Sequence, residues 1–312
     1  MWMITNQPDL TYFKFKISMT VHQETLTKNP KAKTKVKKSW ENILLWIVVA
    51  LVVVFCLAPA MWQVLTSFKV NQDISKVPTV YFPSRITLNH YTELFTRRPF
   101  LRYILNSAFV SVVSTVLSLV LGAPAAYALA RLRPWGGRVI LAGILIVTLF
   151  PGILLFLGLL EIIQKLHLGN NYLALIIPYT AINLPLTILV LRSFFEQLPK
   201  DLEDSARVDG YNTLQMLIQI LIPMTLPALV TTGILTFIFA WNEFIFALTF
   251  ITREEMKTIP VAAAQLGGAT VFEIPYGPIA AATVIGTLPL VLLVLFFQRK
   301  IIQGLTAGAV KG

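Results

Sequence analysis

Long apolar runs, separated by short polar connections, set the rhythm of this chain. Six of them, about 43–65, 103–130, 139–160, 172–191, 224–250 and 278–297, match the roughly 17–25 residues that a helix needs to cross a hydrocarbon layer. The pattern predicts an all-α polytopic membrane protein with six transmembrane helices. Proline and glycine punctuate most runs: Pro59, Gly122 with Pro124, Pro151 with Gly152, Pro178 with Pro185, Pro227 and Pro289. Such breaks are tolerated where neighbouring helices or a cavity satisfy the freed carbonyls. Helix packing accounts for most of them; Pro178 and Pro185, spaced to share one helix face, are the candidates for a pathway hinge.

Composition strengthens this picture. Of 312 residues, 56% are hydrophobic and 13% charged, against about 25% charged in soluble domains. Mean hydropathy is +0.71. A water-soluble globule and a disordered chain are both excluded. The net charge of +11 does not imply nucleic acid, because its main block, "KNPKAKTKVKK" at 28–38, directly precedes the first apolar run and reads as a topology signal. The single cysteine, Cys56, sits inside that run and offers neither a disulfide framework nor a metal cluster. The stretch "LAPA" (57–60) looks like a leader cleavage site. The basic region before it and the length of the apolar stretch instead predict a retained helix. Residues 1–18 differ in character from the rest of the chain, and Met19 offers an alternative start that the mass of the N-terminal peptide distinguishes.

With six spans both termini share a side, and 17 of the 26 lysines and arginines fall there. The positive-inside rule places that side in the cytoplasm, the bias resting on the N-terminal tail. The expected organisation is a basic cytoplasmic tail (1–40), a six-helix domain (41–298) with a cytoplasmic loop at 193–223, and a C-terminal cytoplasmic tail (299–312).

That loop contains "DLEDSARVDGYNTLQMLIQILIP" (201–223). From Glu196 to Asp209 five acids face two bases, so an anionic leaflet would repel it. A helical, acidic loop of this kind suits a protein partner; on the charge pattern alone, an ordinary structured loop with no partner fits equally well. Pro199 and the acids Asp201, Glu203 and Asp204 favour a helix start. Leu198, Leu202, Ser205 and Ala206 are expected on one packed face. Gly210 suits a left-handed helix end, and Asn212 with Gln215 a capping box for a second helix that runs on to the fifth span.

At these residues the chain resembles the permease subunits of binding-protein-dependent ABC importers, which carry E-A-A-x-x-x-G-x9-I-x-L-P. Here Asp204, Ser205 and Ala206 precede Gly210 with the family spacing, and Ile220 to Pro223 close the motif; Asp204, Ser205 and Ile222 depart from it. "LNSAFVSVVSTVLSLVLGAPAAYALARLR" (105–133), "WNEF" (241–244) and "GLTAGAVKG" (304–312) are similar to the carbohydrate branch, in particular to the smaller permease of the maltose type. The resemblance covers about residues 40–312. It implies the type I importer (MetI-like) fold in a bacterial plasma membrane, a second, homologous permease, two cytoplasmic ATPase subunits and an extracytoplasmic sugar-binding protein. It makes Asp204, Ser205, Ala206, Asp209, Gly210, Ile220 and Pro223 the ATPase-coupling residues. It makes Gly304, Leu305, Thr306, Gly308 and Lys311 a C-terminal ATPase contact; by composition alone Gly304, Gly308 and Gly312 confer only flexibility. No phosphate loop of the G-x-x-x-x-G-K-[ST] kind is present, so ATP and Mg are expected on the partner, and no cofactor, metal or catalytic residue on this chain.

Glu243 is the carboxylate set deepest in an apolar run, where a charge is costly. A structural or gating role is favoured over sugar contact, with Trp241, Asn242, Pro178 and Pro185 as possible pathway companions. His90 and His167 lack metal-ligand company and are expected on the surface. The connection 66–102 is the expected docking face for a binding protein. Three other classes compete. A secondary carrier or channel would place several charged groups at mid-membrane and often an inverted repeat. A membrane enzyme would need converging catalytic groups. A passive scaffold would associate without being required for transport.

Overall fold

The computed structural model describes the backbone of residues 40–267 and 274–309, and the side chains of 42–267 and 274–300. The N-terminal tail, with its basic block and Met19, and Lys311 lie outside the described residues, as do the side chains of Gly304, Leu305, Thr306 and Gly308. The chain divides into two units, 1–59 and 60–312, with the division at Pro59 inside helix α1 (Trp40–Ser67).

In the second unit two short helices, α2 (Asn71–Ile74) and α3 (Asn89–Arg97), lead to the long α4, which runs Phe100–Leu132 and ends in a π turn from Ala128. Then come α5 (Gly137–Leu149), α6 (Gly152–Lys165), α7 (Leu173–Gln197), α8 (Asp201–Val208), α9 (Thr213–Met224), α10 (Leu226–Asn242), α11 (Ile245–Phe250), α12 (Ile259–Ala264) and α13 (Tyr276–Ala309). The described residues contain no strand. Among them, four helices are long and apolar enough to cross a membrane. Two bent pairs, α5 with α6 at 96° and α9 with α10 at 80°, raise the count to six.

The expected third and fifth spans are therefore not single helices. At 150–151 Phe150 and Pro151 are both extended, because proline cannot donate backward and disfavours helical geometry in the residue before it. At Thr225 the following Pro227 has no N–H to give Pro223. The fifth run breaks again at Glu243, whose backbone is extended. Pro59, Pro124, Pro178, Pro185 and Pro289 stay inside continuous helices.

Helix α4 is the centre of the unit, packed along α7 and α10. Its contact face is small and hydroxylated: Ser107, Ser111, Ser114, Ser118 and Gly122 are all buried. Side chains of this size let helices approach closely in a membrane, where no hydrophobic force separates helix from lipid. A Cβ placed on Gly122 would stand 2.5 Å from Thr187 Cγ2. Most hydroxyls find partners, as Ser118 Oγ donates to the Ser114 carbonyl (2.8 Å), Thr187 Oγ1 to that of Asn183 (2.9 Å) and Ser107 Oγ accepts from the Ile259 N–H (2.8 Å), whereas Ser111 Oγ is buried with no partner among the described residues.

Two polar networks mark the ends of α4. At the first, Tyr103 donates to Glu254, Asn106 Nδ2 to the carbonyls of Glu255 and Lys257 (2.9 Å each), and Tyr172 to Asn106 Oδ1 (2.7 Å). At the other, Tyr127 and Arg131 meet Glu203. From Tyr103 to Tyr127 the helix rises about 36 Å, more than the ~30 Å hydrocarbon core.

The 66–102 connection is folded rather than loose. Lys69 Nζ donates to the Val80 carbonyl (2.7 Å) and lies 4.0 Å from the Trp62 ring centroid; burial holds its ammonium below the ordinary lysine range, and Asp73 opposes this. Asp73 accepts from the Ser84 hydroxyl (2.7 Å) and backbone N–H (2.8 Å). His90 is not at the surface. It is buried, with Nε2 2.8 Å from the Lys69 carbonyl, and Gly277 is close enough that a Cβ there would strike its ring. His167 is exposed, as expected.

Candidate functional site

Helix α8 starts two residues after Pro199, with Asp201, Glu203 and Asp204 in its first turn. It ends in a left-handed residue, Gly210, at φ +84°. The N–H groups of Gly210 and Tyr211 return to the carbonyls of Arg207 (3.1 Å) and Ala206 (3.0 Å), the paired bonds of a glycine-ended helix. Asn212 Oδ1 then accepts from the Gln215 N–H (2.9 Å) while Gln215 Oε1 accepts from the Asn212 N–H (3.0 Å), so the expected capping box is present. α9 follows, with a π turn at Leu217–Leu221, and bends into α10.

The packed face of α8 differs from expectation. Ala206 is buried in a cluster with Tyr127, Phe195, Met216, Leu217 and Leu221, and Leu202 is half-buried. Ser205, however, is exposed, and Glu203 takes the inward position, 7% exposed. Glu203 Oε1 lies 2.9 Å from Arg131 Nε, an ion contact poorly aligned for a hydrogen bond. Asp204, Asp209, Gly210 and Pro223 are exposed, and Ile220 is half-buried. The exposed side also carries Val208 (87% exposed), Tyr211 and Leu214, apolar neighbours of the acids that the charge pattern alone did not single out.

Glu243 lies at the break between α10 and α11. Its carboxylate accepts from the Tyr179 hydroxyl and from the N–H groups of Phe246 (2.9 Å) and Ala247 (3.1 Å), so it caps α11 and fixes the break. The structure brings Pro178, Pro185 and Glu243 together on one cavity of about 760 Å³, beside the bend at Phe150. The other lining groups are apolar but for Thr148, and Glu243 is already satisfied within the chain. A sugar would find few hydrogen-bonding partners there. Trp241 and Asn242 are not part of it: Trp241 is buried with Nε1 on the Gly286 carbonyl (2.9 Å), and Asn242 bonds back to Ile238 (2.8 Å).

A family profile described as binding-protein-dependent transport system inner membrane component matches residues 92–306. This chain belongs to that family. The match takes in α8, the 210–223 turn, both prolines and Glu243. Among curated relatives, the trehalose transport system permease protein SugB of Mycobacterium tuberculosis is 39% identical over 86% of this chain and 97% of its own length. The trehalose/maltose transport system permease protein MalG of Thermococcus litoralis is 39% identical over 87% and 98%. The sulfoquinovosyl glycerol transport system permease protein SmoH of Agrobacterium fabrum is 38% identical over 86% and 94%. A chain of a bacterial ABC transporter involved in the import of the acidic polysaccharide alginate shares the fold, with a TM-score of 0.71 at 24% identity over 84% of this chain and 96% of that one. A chain of the MetNI methionine ABC transporter gives 0.53 at 18% identity over 66% and 95%. The MetI-like permease fold inferred from the motifs is thus the fold of this inner membrane transport component.

Proposed function

We propose that this chain is one permease subunit of an ATP-driven importer that carries a sugar or related polyol across a bacterial plasma membrane by alternating access. The observation that carries the reading is the α8 knob: an exposed acidic and apolar face, built on the importer motif, closed by Gly210 and the capping box, and anchored from beneath. It offers a preformed surface for a cytoplasmic ATPase. Asp204, Ser205, Asp209 and Gly210 stand on the contact side, while Ala206, Ile220 and Pro223 shape its support. The solute class is drawn from the relatives, which are named for the transport of trehalose, maltose and sulfoquinovosyl glycerol.

In this reading both termini are cytoplasmic, and Gly304, Leu305, Thr306, Gly308 and Lys311 make a second ATPase contact. The folded 66–102 connection faces an extracytoplasmic binding protein. A homologous permease completes the pathway, and ATP and Mg are bound and hydrolysed by two partner subunits. This chain performs no covalent chemistry. Glu243 supports the pathway by holding the break between α10 and α11 instead of binding solute.

Purification from the native membrane in mild detergent tests the proposal, comparing the wild type with the Asp209→Lys, Gly210→Trp double variant. An ATP-hydrolysing subunit is expected with the wild type and absent from the variant, at equal permease yield. A folded wild type that brings no ATPase would return the field to a carrier or scaffold.

A further inference from the structure

Helix α8 projects from the bundle, and by itself it is about 12 Å of helix, too short to hold its shape in water. Among the described residues its polar side-chain contacts to other elements are all made by Glu203. Arg131 Nε lies 2.9 Å from Oε1, and the Tyr127 hydroxyl donates to Oε2 at a long 3.4 Å. The Arg131 guanidinium also donates to the carbonyl of Leu198, the residue that closes α7. A carbonyl at a helix end has no partner within its helix and favours a cation. One side chain therefore joins three elements: the π turn of α4, the end of α7 and the inner face of α8. The ion pair is secluded, with the side chains of Arg131 and Glu203 only 9% and 10% exposed.

A buried ion pair contributes little net stability beside a well-packed apolar substitute, since desolvation offsets attraction. Breaking one side is costly, because the other charge is left buried alone. What such a pair supplies is a defined geometry. The apolar contacts of α8, one alanine methyl and a half-buried leucine, permit sliding and rotation that the guanidinium does not.

We infer that Arg131 and Glu203 are positioning residues that form a strut, making α8 move as one body with the ends of α4 and α7. Displacement imposed on the exposed face of α8 then reaches two membrane helices instead of being absorbed by rotation of α8. The inference rests on the reading that this face meets an ATPase.

Spin labels on Leu132→Cys and Asp201→Cys, both exposed and outside the contact residues named above, report on the strut in a Cys56→Ser background. The full-length permease is measured with its co-purifying subunits, by pulsed dipolar spectroscopy, with and without ATP plus vanadate. The unmodified strut is expected to give one narrow distance that nucleotide leaves unchanged. Glu203→Gln and Arg131→Gln are expected to broaden it and make it nucleotide-dependent. Leu202→Ala, which removes packing but no charge, leaves it narrow. If the neutral variants fail to insert, Arg131→Lys, which keeps the charge and loses the fork, replaces them. A narrow, nucleotide-independent distance in Glu203→Gln overturns the strut, and so does a nucleotide-dependent distance with the strut intact. Absence of an ATPase from the unmodified preparation overturns the docking reading instead and leaves the nucleotide-free distances to decide the strut.

Discussion

Gly210 shows how a single residue can be indispensable for its backbone alone. Nothing lies within 4 Å of where its Cβ would stand, so space is free and only the φ of +84° excludes a side chain. Gly210→Ala is expected to cost about 1 kcal/mol. Gly210→Asn should cost less, since asparagine tolerates this region. Amide exchange at Gly210 and Tyr211, whose N–H groups close the turn, measures the loss. Gly210→Trp adds bulk to the contact face and should leave insertion normal while abolishing uptake. A second residue-scale prediction concerns Asp73, whose carboxyl is held below its ordinary value by the Ser84 hydroxyl, then by the Ser84 N–H. A depressed value means that the ionised form stabilises the folded turn above the unfolded pKa, about 3.9, and that this is lost as pH falls through the folded value. Protection of the Ser84 amide, taken relative to its intrinsic exchange rate at each pH, should therefore fall only in acid, and Asp73→Asn should remove that dependence. The glycine turn and the capping box were legible in sequence because each is made by residues a few positions apart. The Glu203–Arg131 pair was not, because it joins distant segments. The available signal was spacing: Glu203 stands three residues before Ala206, on the same helical face.

At the scale of elements, α4 packs tightly against α7 at Gly122. An alanine there would bring its methyl to 2.5 Å from Thr187 Cγ2, and one side must move. Overpacking of this kind typically costs about 1–3 kcal/mol, so Gly122→Ala should lower the thermal midpoint in detergent. Thr187→Ser removes the offending methyl while keeping the hydroxyl that bonds Asn183, and the double variant should recover most of the loss. If the double variant is no better than Gly122→Ala alone, the helices do not meet at this point. The apolar runs marked the positions of the spans, but not which prolines break them. Pro124 and Pro178 remain inside helices, whereas Pro151 stands at a 96° bend. The outcome depends on what surrounds the freed carbonyl, which a run of apolar residues does not encode. The cavity holding Pro178, Pro185 and Glu243 was half legible: the proline spacing placed two groups on one face, and the third arrived through the tertiary fold.

For the whole molecule, the decisive quantity is the separation of the two polar networks on α4. They lie about 36 Å apart along a helix whose middle is packed with small residues, so the two networks fall on opposite sides of a hydrocarbon core about 30 Å thick. The loop at Val77 belongs with the end of α4 that carries Tyr103, through α3 and the 66–102 connection; Val208 belongs with the end that carries Arg131. Both are strongly exposed, at 91% and 87%. In a Cys56→Ser background, Val77→Cys should react with a membrane-impermeant maleimide in intact spheroplasts, and Val208→Cys only in inverted vesicles. The basic N-terminal tail, the strongest contributor to the charge bias, sets this direction. The reverse pattern would keep the fold and invert the topology, placing the acidic knob where no ATP is available. Labelling of both cysteines from the same side would go further and contradict the membrane placement of α4 itself.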